Sequence, residues 1–285
     1  LVFSDSAYLR PCQGILDRAG PLRFYAADLA RGADGKWRVI DNHLETLAGI
    51  GFVLANRVAH THVTGDLFKR VNAVRLAAHF QRVQVALAAH AQRDNASIAL
   101  LTPGPQHQDY FSHAYLARYL GLLLVEGSDL RTRGSHAYLK TLEGLKEVDL
   151  IIRCVDGRQI DPLELDPAGF KGPAGLLRVN RDQPKLVVNA IGSAVAQNRG
   201  LGPYLPRLAK HLLGEELSLG DAPRWWLGDP AARRHVLDNL DGVVIRSAQE
   251  GTGRPGQAAL GQAPGEISAA ERARLKAEIG LHGAR

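Results

Sequence analysis

The stretch from Leu22 to Gly49, LRFYAADLARGADGKWRVIDNHLETLAG, constrains this chain most. Two segments rich in β-formers, residues 22–30 and 37–43, flank Asp34-Gly35, a dipeptide that tolerates the positive φ angles of a two-residue hairpin turn. With those two as the loop, Ala30 faces Val39, Asp28 faces Asp41 and Ala26 faces His43. Side chains alternate along a strand, so Asp28, Asp41 and His43 project from one face of the ribbon. Directly opposed carboxylates repel, at a cost of a few tenths to about 1 kcal/mol when exposed and more when buried. A cation between them would remove that cost. Carboxylate oxygens suit Mg²⁺, which takes one or two protein carboxylates and completes its shell with water and substrate phosphates. The ribbon reads as half of a metal-nucleotide site, with Asp28, Asp41 and His43 as candidate metal ligands. The alternative is a pair of aspartates at a solvated strand end, meeting only water.

The chain has 285 residues, long enough for a large buried core and more naturally two subdomains than one. No apolar run approaches the roughly 18 residues needed to cross a bilayer, and the N-terminal residues lack a signal-peptide pattern, so a cytoplasmic protein with no membrane partner is expected. Cys12 and Cys154 form no CxxC and are far apart, which indicates two buried or partly buried thiols rather than a zinc knuckle or a disulfide framework. The net charge of +6 favours anionic ligands, but the basic residues are dispersed, which argues against nucleic acid. The chain contains no methionine and begins with Leu, as expected of a fragment, an alternative start or an edited sequence. Composition leaves the oligomeric state open.

Beyond the ribbon, residues 52–91 carry helix-forming runs. Val71, Val74, Leu76, Ala78, Phe80, Val83, Val85 and Leu87 supply the apolar stripe of an amphipathic helix. His60 and His62 form an HxH pair, which a helix points apart, as surface histidines. Residues 97–102 read as a short strand, 109–121 as a helix ended by Gly121, and 122–126 as the next strand. A hairpin is expected around Arg133-Gly134, and a buried strand over 148–155. Asp156, Asp161 and Glu164 fall in a Gly/Pro/Asp-rich segment, where they would cap turns or hold a metal or a substrate amine. Arg153, a lone guanidinium at the end of an apolar strand, needs a carboxylate or phosphate partner. Residues 185–189 read as another strand leading into the small-residue turn around Gly192, where a backbone can approach a ligand. Residues 242–247 read as a strand. Gly251, Gly253 and Gly256 match GxGxxG, but Pro255 follows where a dinucleotide site needs a helix, which leaves a phosphate-covering glycine loop beside Arg246 or a plain linker. Ser268 to Glu271 is a capping box that opens a last helix.

In order along the chain, the segments LRPCQGI, GFVLANR, LLTPGPQHQDYFSHAYLARYLG, LVEGSDL, DPLEL, VVNAIGSAV and RWWLGD resemble the circularly permuted ATP-grasp family, the relatives of glutathionylspermidine synthase. The resemblance implies an α/β (α+β) fold of circularly permuted ATP-grasp type with a small Rossmann-like pre-ATP-grasp layer. It implies a metal-binding lobe over residues 1–95, the pre-ATP-grasp layer over 96–182, part of the nucleotide-binding lobe over 183–248, and a linker with a terminal helix over 249–285. It also implies ATP and Mg²⁺ as cofactors and a ligase that joins a small-molecule carboxylate to an amine through an acyl phosphate. Asp28 and Asp41 match the acidic metal positions. Arg57 and Arg153 would face phosphates or the acyl phosphate. Asn189 and Gly192 would line the cleft, and Arg246 with Gly251 and Gly253 would bind the nucleotide. The chain departs from the family pattern at His43, where relatives tend to have Asn, at Cys154 and Gly157, and at Arg246, which replaces the nucleotide lysine. These departures raise an alternative function, a non-catalytic ATP-grasp-like scaffold that binds a protein partner.

Overall fold

A computed structural model describes residues 2–15, 17, 20–47, 49–93, 95–248 and 268–282. In chain order its strands are β1 (Ala26–Arg31), β2 (Trp37–His43), β3 (Ile98–Leu101), β4 (Leu123–Val125), β5 (Leu130–Arg133), β6 (His136–Thr141), β7 (Gly144–Val148), β8 (Leu150–Arg153), β9 (Val187–Val188) and β10 (Gly220–Asp221). The α-helices are α1 (Ile50–Val63), α2 (Gly65–Arg70), α3 (Ala77–Ala91), α4 (Tyr110–Leu120), α5 (Leu176–Asp182), α6 (Leu205–Leu213), α7 (Pro230–Asp238) and α8 (Ala269–His282). This is the mixed α/β architecture expected. Two compact units divide the chain. The first comprises Leu1–Tyr8, Ala26–His43 and Val195–Arg285, and the second Leu9–Tyr25 and Leu44–Ala194.

In the first unit β1 and β2 form the expected antiparallel ribbon, extended by a short parallel pairing of β10 with β2. Ala26 opposes His43 and Asp28 opposes Asp41, as the turn predicts. Nearer the turn the register differs: Leu29 opposes Val39, and Ala30 opposes Arg38 rather than Val39. The cause is a longer loop. The Gly32 amide donates to the Lys36 carbonyl at 2.9 Å, so Ala33, Asp34 and Gly35 all lie in the turn, with Gly35 left-handed at φ 74°. A bulge at Ile40 absorbs the extra residue and restores the expected register at Asp28. Val39 and Asp41, two apart, then lie buried together. Residues 243–247 form no strand, and β10 supplies the third strand instead. Val236 and Leu240 pack with Leu275 and Ile279 of α8. The capping box that starts α8 is present: the Ser268 amide donates to Glu271 Oε2 and the Glu271 amide to Ser268 Oγ.

The second unit is built on a four-stranded parallel sheet in the order β4-β3-β8-β9. Apart from Arg153 at the end of β8, the side chains of β3 and β8 are apolar on both faces, as a doubly covered sheet requires. Leu100, Leu150 and Ile152 pack with Leu54 of α1, Phe80 and Leu87 of α3, and Leu116 and Leu120 of α4. Ala99, Leu101 and Ile151 pack on the other side with Leu176 and Val179 of α5 and with Leu130 and Ala137 of an antiparallel sheet, β5-β6-β7. The Arg133-Gly134 turn expected in the sequence joins β5 to β6. Helices α1 and α4 touch at Gly51, where a Cβ would fall 2.6 Å from the Ser112 Cα, so only glycine fits. The single amphipathic helix expected across Val71 to Leu87 is interrupted. Residues 71–76 separate α2 from α3, Asn72 sits at φ 50°, and Val74 is 82% exposed while Phe80 and Leu87 are buried. Among the described residues no helix is long and apolar enough to cross a membrane.

Candidate functional site

Asp41 is the best-defined charged centre of the first unit. The bulged ribbon turns it inward and leaves it 5% exposed. Arg199 Nε donates to its Oδ1 at 2.8 Å, Arg199 Nη2 to Oδ2 at 3.3 Å, and Arg246 Nη1 lies 2.8 Å from Oδ2. Burial pushes the Asp41 carboxyl up, but hydrogen bonding and charge from Arg199, then from Arg246, outweigh it and hold the group below its ordinary range. Arg199 is itself fixed by local geometry. Asn198 Oδ1 accepts from the Gly200 amide at the start of a short 3₁₀ helix, Asp5 holds the Asn198 amide, and the Arg199 amide donates to the Ala248 carbonyl. Arg246 spends one nitrogen on Asp41, and its side chain is 40% exposed.

The structure brings Asp28, Asp41 and His43 to one face of the ribbon but does not converge them on one point. His43 Nε2 pairs with Asp28 Oδ2 at 3.1 Å, while both Asp41 oxygens face guanidinium groups. The repulsion foreseen between the two carboxylates is relieved by arginine and histidine. As placed, this donor set does not fit Mg²⁺: the Asp41 oxygens are committed, and imidazole is a poor ligand for a hard ion. Among the described residues no group of three His, Cys, Asp or Glu side chains is arranged to hold a metal. Gly251 and Gly253 lie outside the described residues.

In the second unit the expected substrate-facing residues serve the fold. Arg153 is fully buried at the end of β8. Its Nε donates to the Asn189 carbonyl, Nη1 to the Val155 carbonyl and Glu45 Oε1, and Nη2 to the Ala190 carbonyl and Ser193 Oγ. Those five bonds use every N–H of a guanidinium, so none remains for a phosphate. Burial draws its pKa down and Glu45 pulls it back up. Its anionic partner is a carboxylate of the protein. Asn189, 4% exposed, is equally committed: Oδ1 accepts from the Arg23 and Phe24 amides, and Nδ2 donates to the Phe24 and Leu44 carbonyls. Gly192 has φ 92° and faces Leu9 and Cys12. Arg57 on α1 donates to the Val74 carbonyl at 2.8 Å and lies over the Phe68 ring at 5.1 Å. Asp161 accepts backbone N–H bonds from Leu163, Gly175 and Leu177, and Asp156 accepts the Arg158 amide, so these two cap turns as expected, whereas Glu164 forms an ion pair with Arg181 instead. Cys12 and Cys154 are free thiols pushed by burial to about 11 and about 12.

A cavity of about 380 Å³ opens in the second unit where β3 and β8 end. The residues after β3, from Pro103 to Asp109, line one side; Cys154 and Asp156 after β8, with Lys171, line another. From β3 the chain crosses to β4 on one side of the sheet, and from β8 it moves to β9 on the other. The crevice at such a switch point, beyond the carboxyl ends of parallel strands, is where open α/β sheets place ligands. His113 on α4 donates or accepts through Nδ1 with Thr102 Oγ1 at 3.0 Å, stacks on His107 at 5.9 Å, and is driven by burial to a pKa of about 4. None of the lining residues His107, Asp109 and Lys171 was singled out by motif, and neither was Arg199. The first two were accessible through the strand-end rule, because TPGPQHQD follows the β3 strand directly.

The circularly permuted ATP-grasp type 2 family matches the chain over residues 1–285. The chain is 32% identical over 256 residues to an uncharacterized protein of Synechocystis sp., an alignment that covers 89% of this chain and 53% of that protein. It is 34% identical over 260 residues to an uncharacterized protein of Mycobacterium leprae, covering 89% and 46%. A third relative, an uncharacterized protein of Mycobacterium tuberculosis, is 32% identical over 254 residues, covering 88% and 29%. The chain thus spans about half the length, or less, of the curated relatives it matches. With its parallel sheet, inward aspartate and α/β architecture, the chain belongs to the circularly permuted ATP-grasp type 2 family.

Proposed function

We propose that this chain is part of an ATP-dependent ligase that joins a small-molecule carboxylate to an amine. The observation that carries the reading is the family match over residues 1–285, since ATP-grasp domains are ATP-dependent ligases at the family level. On the geometric side it is supported by Arg246, whose guanidinium is held on Asp41 by one nitrogen and exposes the rest of its fork. Such a fork fits phosphate oxygens in a bidentate manner. Arg199 behind it adds a second positive charge, and Asp41 keeps the two arginines in place. In a reaction of this class a carboxylate oxygen attacks the γ-phosphorus of ATP and releases ADP. The amine nitrogen then attacks the acyl carbon, loses a proton, and displaces phosphate to leave an amide. In this chain Arg246 serves to bind and orient phosphate oxygens, while Arg199, committed to Asp41 and the Ser247 carbonyl, contributes charge behind it.

A second reading, a non-catalytic ATP-grasp-like scaffold that binds a protein partner, is favoured by the same Asp41 oxygens, which the arginines occupy. The two readings separate in an assay of ADP release by the purified protein with ATP, Mg²⁺ and a mixed pool of amino acids and dicarboxylates. The ligase reading expects ADP formation that requires both acid and amine. Nucleotide binding with no ADP formation under any pairing supports the scaffold, and absence of nucleotide binding removes the ligase reading.

A further inference from the structure

The cavity at the ends of β3 and β8 plays no part in the nucleotide reading, and its charges are unevenly committed. Glu45 is neutralised by Arg153 at 3.3 Å and accepts the Gly157 amide, and Asp156 is paired with Arg158 at 2.8 Å. That leaves one cation and one anion. Lys171 is exposed and donates from Nζ to the Pro103 carbonyl at 3.2 Å, and among the described residues it has no carboxylate within ion-pair distance. Among the described residues Asp109 has no lysine or arginine within ion-pair distance; it interacts electrostatically with the buried His113 ring and lies 3.8 Å from His107 Nδ1. That nitrogen accepts the Asp109 amide at 3.2 Å, so the His107 N–H sits on Nε2, away from the Asp109 carboxylate. The Asp109 side chain also makes no cap bond to α4.

The cavity therefore presents an ammonium and a carboxylate that do not neutralise each other, in a crevice placed where open α/β sheets receive ligands. Around them lie the amide side chains of Gln106, Gln108 and Gln159. A divalent cation is disfavoured, because Glu45, Asp109 and Asp156 do not form a metal-holding group. A purely anionic ligand would leave Asp109 unpaired, and a purely cationic one would leave Lys171 unpaired. A ligand that carries both charges satisfies both.

We propose that this cavity binds a small zwitterion, an α-amino acid or short peptide, with its carboxylate on Lys171 and its ammonium on Asp109. A volume of about 380 Å³ accommodates a molecule of that size. The inference rests on the ligase reading only for the ligand's role as the amine or acid substrate.

The test is calorimetric titration of the whole chain without nucleotide, using L-glutamine and glycylglycine as probes. N-acetylglycine, with its amine blocked, and glycinamide, with its carboxylate blocked, serve as controls. The zwitterions are expected to bind with Kd of about 1 mM and the blocked compounds at least about tenfold more weakly. Lys171→Gln should weaken glycylglycine about tenfold while leaving glycinamide unchanged, and Asp109→Asn should weaken glycylglycine while leaving N-acetylglycine unchanged. Both side chains are partly or fully exposed, and unchanged melting temperatures establish that the variants fold. Zwitterions that give no binding, blocked compounds that bind as well, or variants that bind like the parent would each overturn the proposal. Amino acid binding beside a failed ATP titration would remove the ligase reading and leave this site standing.

Discussion

Arg246 Nη1 lies 2.8 Å from Asp41 Oδ2, and Arg199 Nε lies the same distance from Oδ1. An inward carboxylate in a ribbon whose other aspartate stands directly opposite is therefore neutralised by two guanidinium groups drawn from residues far along the chain. The arrangement keeps Asp41 ionised and pins two arginines side by side, which without that carboxylate would repel one another.

Asp41→Ala should destabilise the protein by about 2 kcal/mol. A fully buried pair that loses one partner costs about 3–5 kcal/mol, but water screens the exposed part of Arg246. Arg246→Ala should cost well under 1 kcal/mol, as expected of a partly exposed ion pair. Urea unfolding midpoints compare the two. Equal losses would mean that Arg246, not Arg199, carries the interaction.

Arg153→Ala should be among the most damaging single changes in the chain, at about 3–5 kcal/mol, because it leaves Glu45 and three carbonyl groups without their donor. Arg57→Ala should cost about 1 kcal/mol, the value of one carbonyl bond and one cation–π contact. Denaturant unfolding measures both. A fully stable Arg153→Ala protein would return Arg153 to the substrate-facing role implied by its position in the sequence.

Stability should fall as pH drops from about 6.5 to about 4, through His113. Burial lowers its folded pKa to about 4 from an ordinary value near 6.5, so the unfolded chain takes up a proton in that window and the folded chain does not. The loss approaches about 3 kcal/mol and is complete below the folded pKa. His90, also lowered chiefly by burial, acts in the same direction. Asp41 adds its own loss at lower pH, because a depressed carboxylate stabilises the fold above its unfolded value and ceases to do so as it protonates. Thermal unfolding across this range checks the sign, and His113→Gln should flatten the upper part of the slope. A melting temperature constant between pH 6.5 and 4 would contradict it.

Much of the second unit was legible because its signals are local. The apolar runs of β3 and β8, Gly121 ending α4, and the Arg133-Gly134 turn each depend on neighbours within a few residues. The ribbon was legible at Asp28 and Asp41 yet displaced nearer the turn, since nothing in Asp34-Gly35 says that Ala33 joins the loop and that Ile40 must bulge to compensate. The break at 71–76 was hidden by an apolar pattern that continues across it, although Val71 and Val74 end in solvent. The roles of Arg153 and Asn189 were out of reach for a different reason: their partners, Glu45 and Phe24, lie more than 100 residues away. A buried guanidinium announces that it needs an anion without saying whether the protein or a ligand supplies it. Arg199, in an undistinguished AQNRG segment, gave no signal at all.

The most direct test of the central claim, that Arg246 meets nucleotide phosphates while Asp41 serves as its counterion, is calorimetric titration of ATP into the parent chain, Arg246→Ala and Asp41→Asn, with and without Mg²⁺. The parent is expected to bind, with a loss of about tenfold or more in Arg246→Ala and retention within about threefold in Asp41→Asn, where the guanidinium is released from a competing carboxylate. Binding indifferent to Arg246→Ala, or Mg²⁺-dependent binding abolished by Asp41→Asn, would contradict that claim and return Asp41 to the role of a metal ligand.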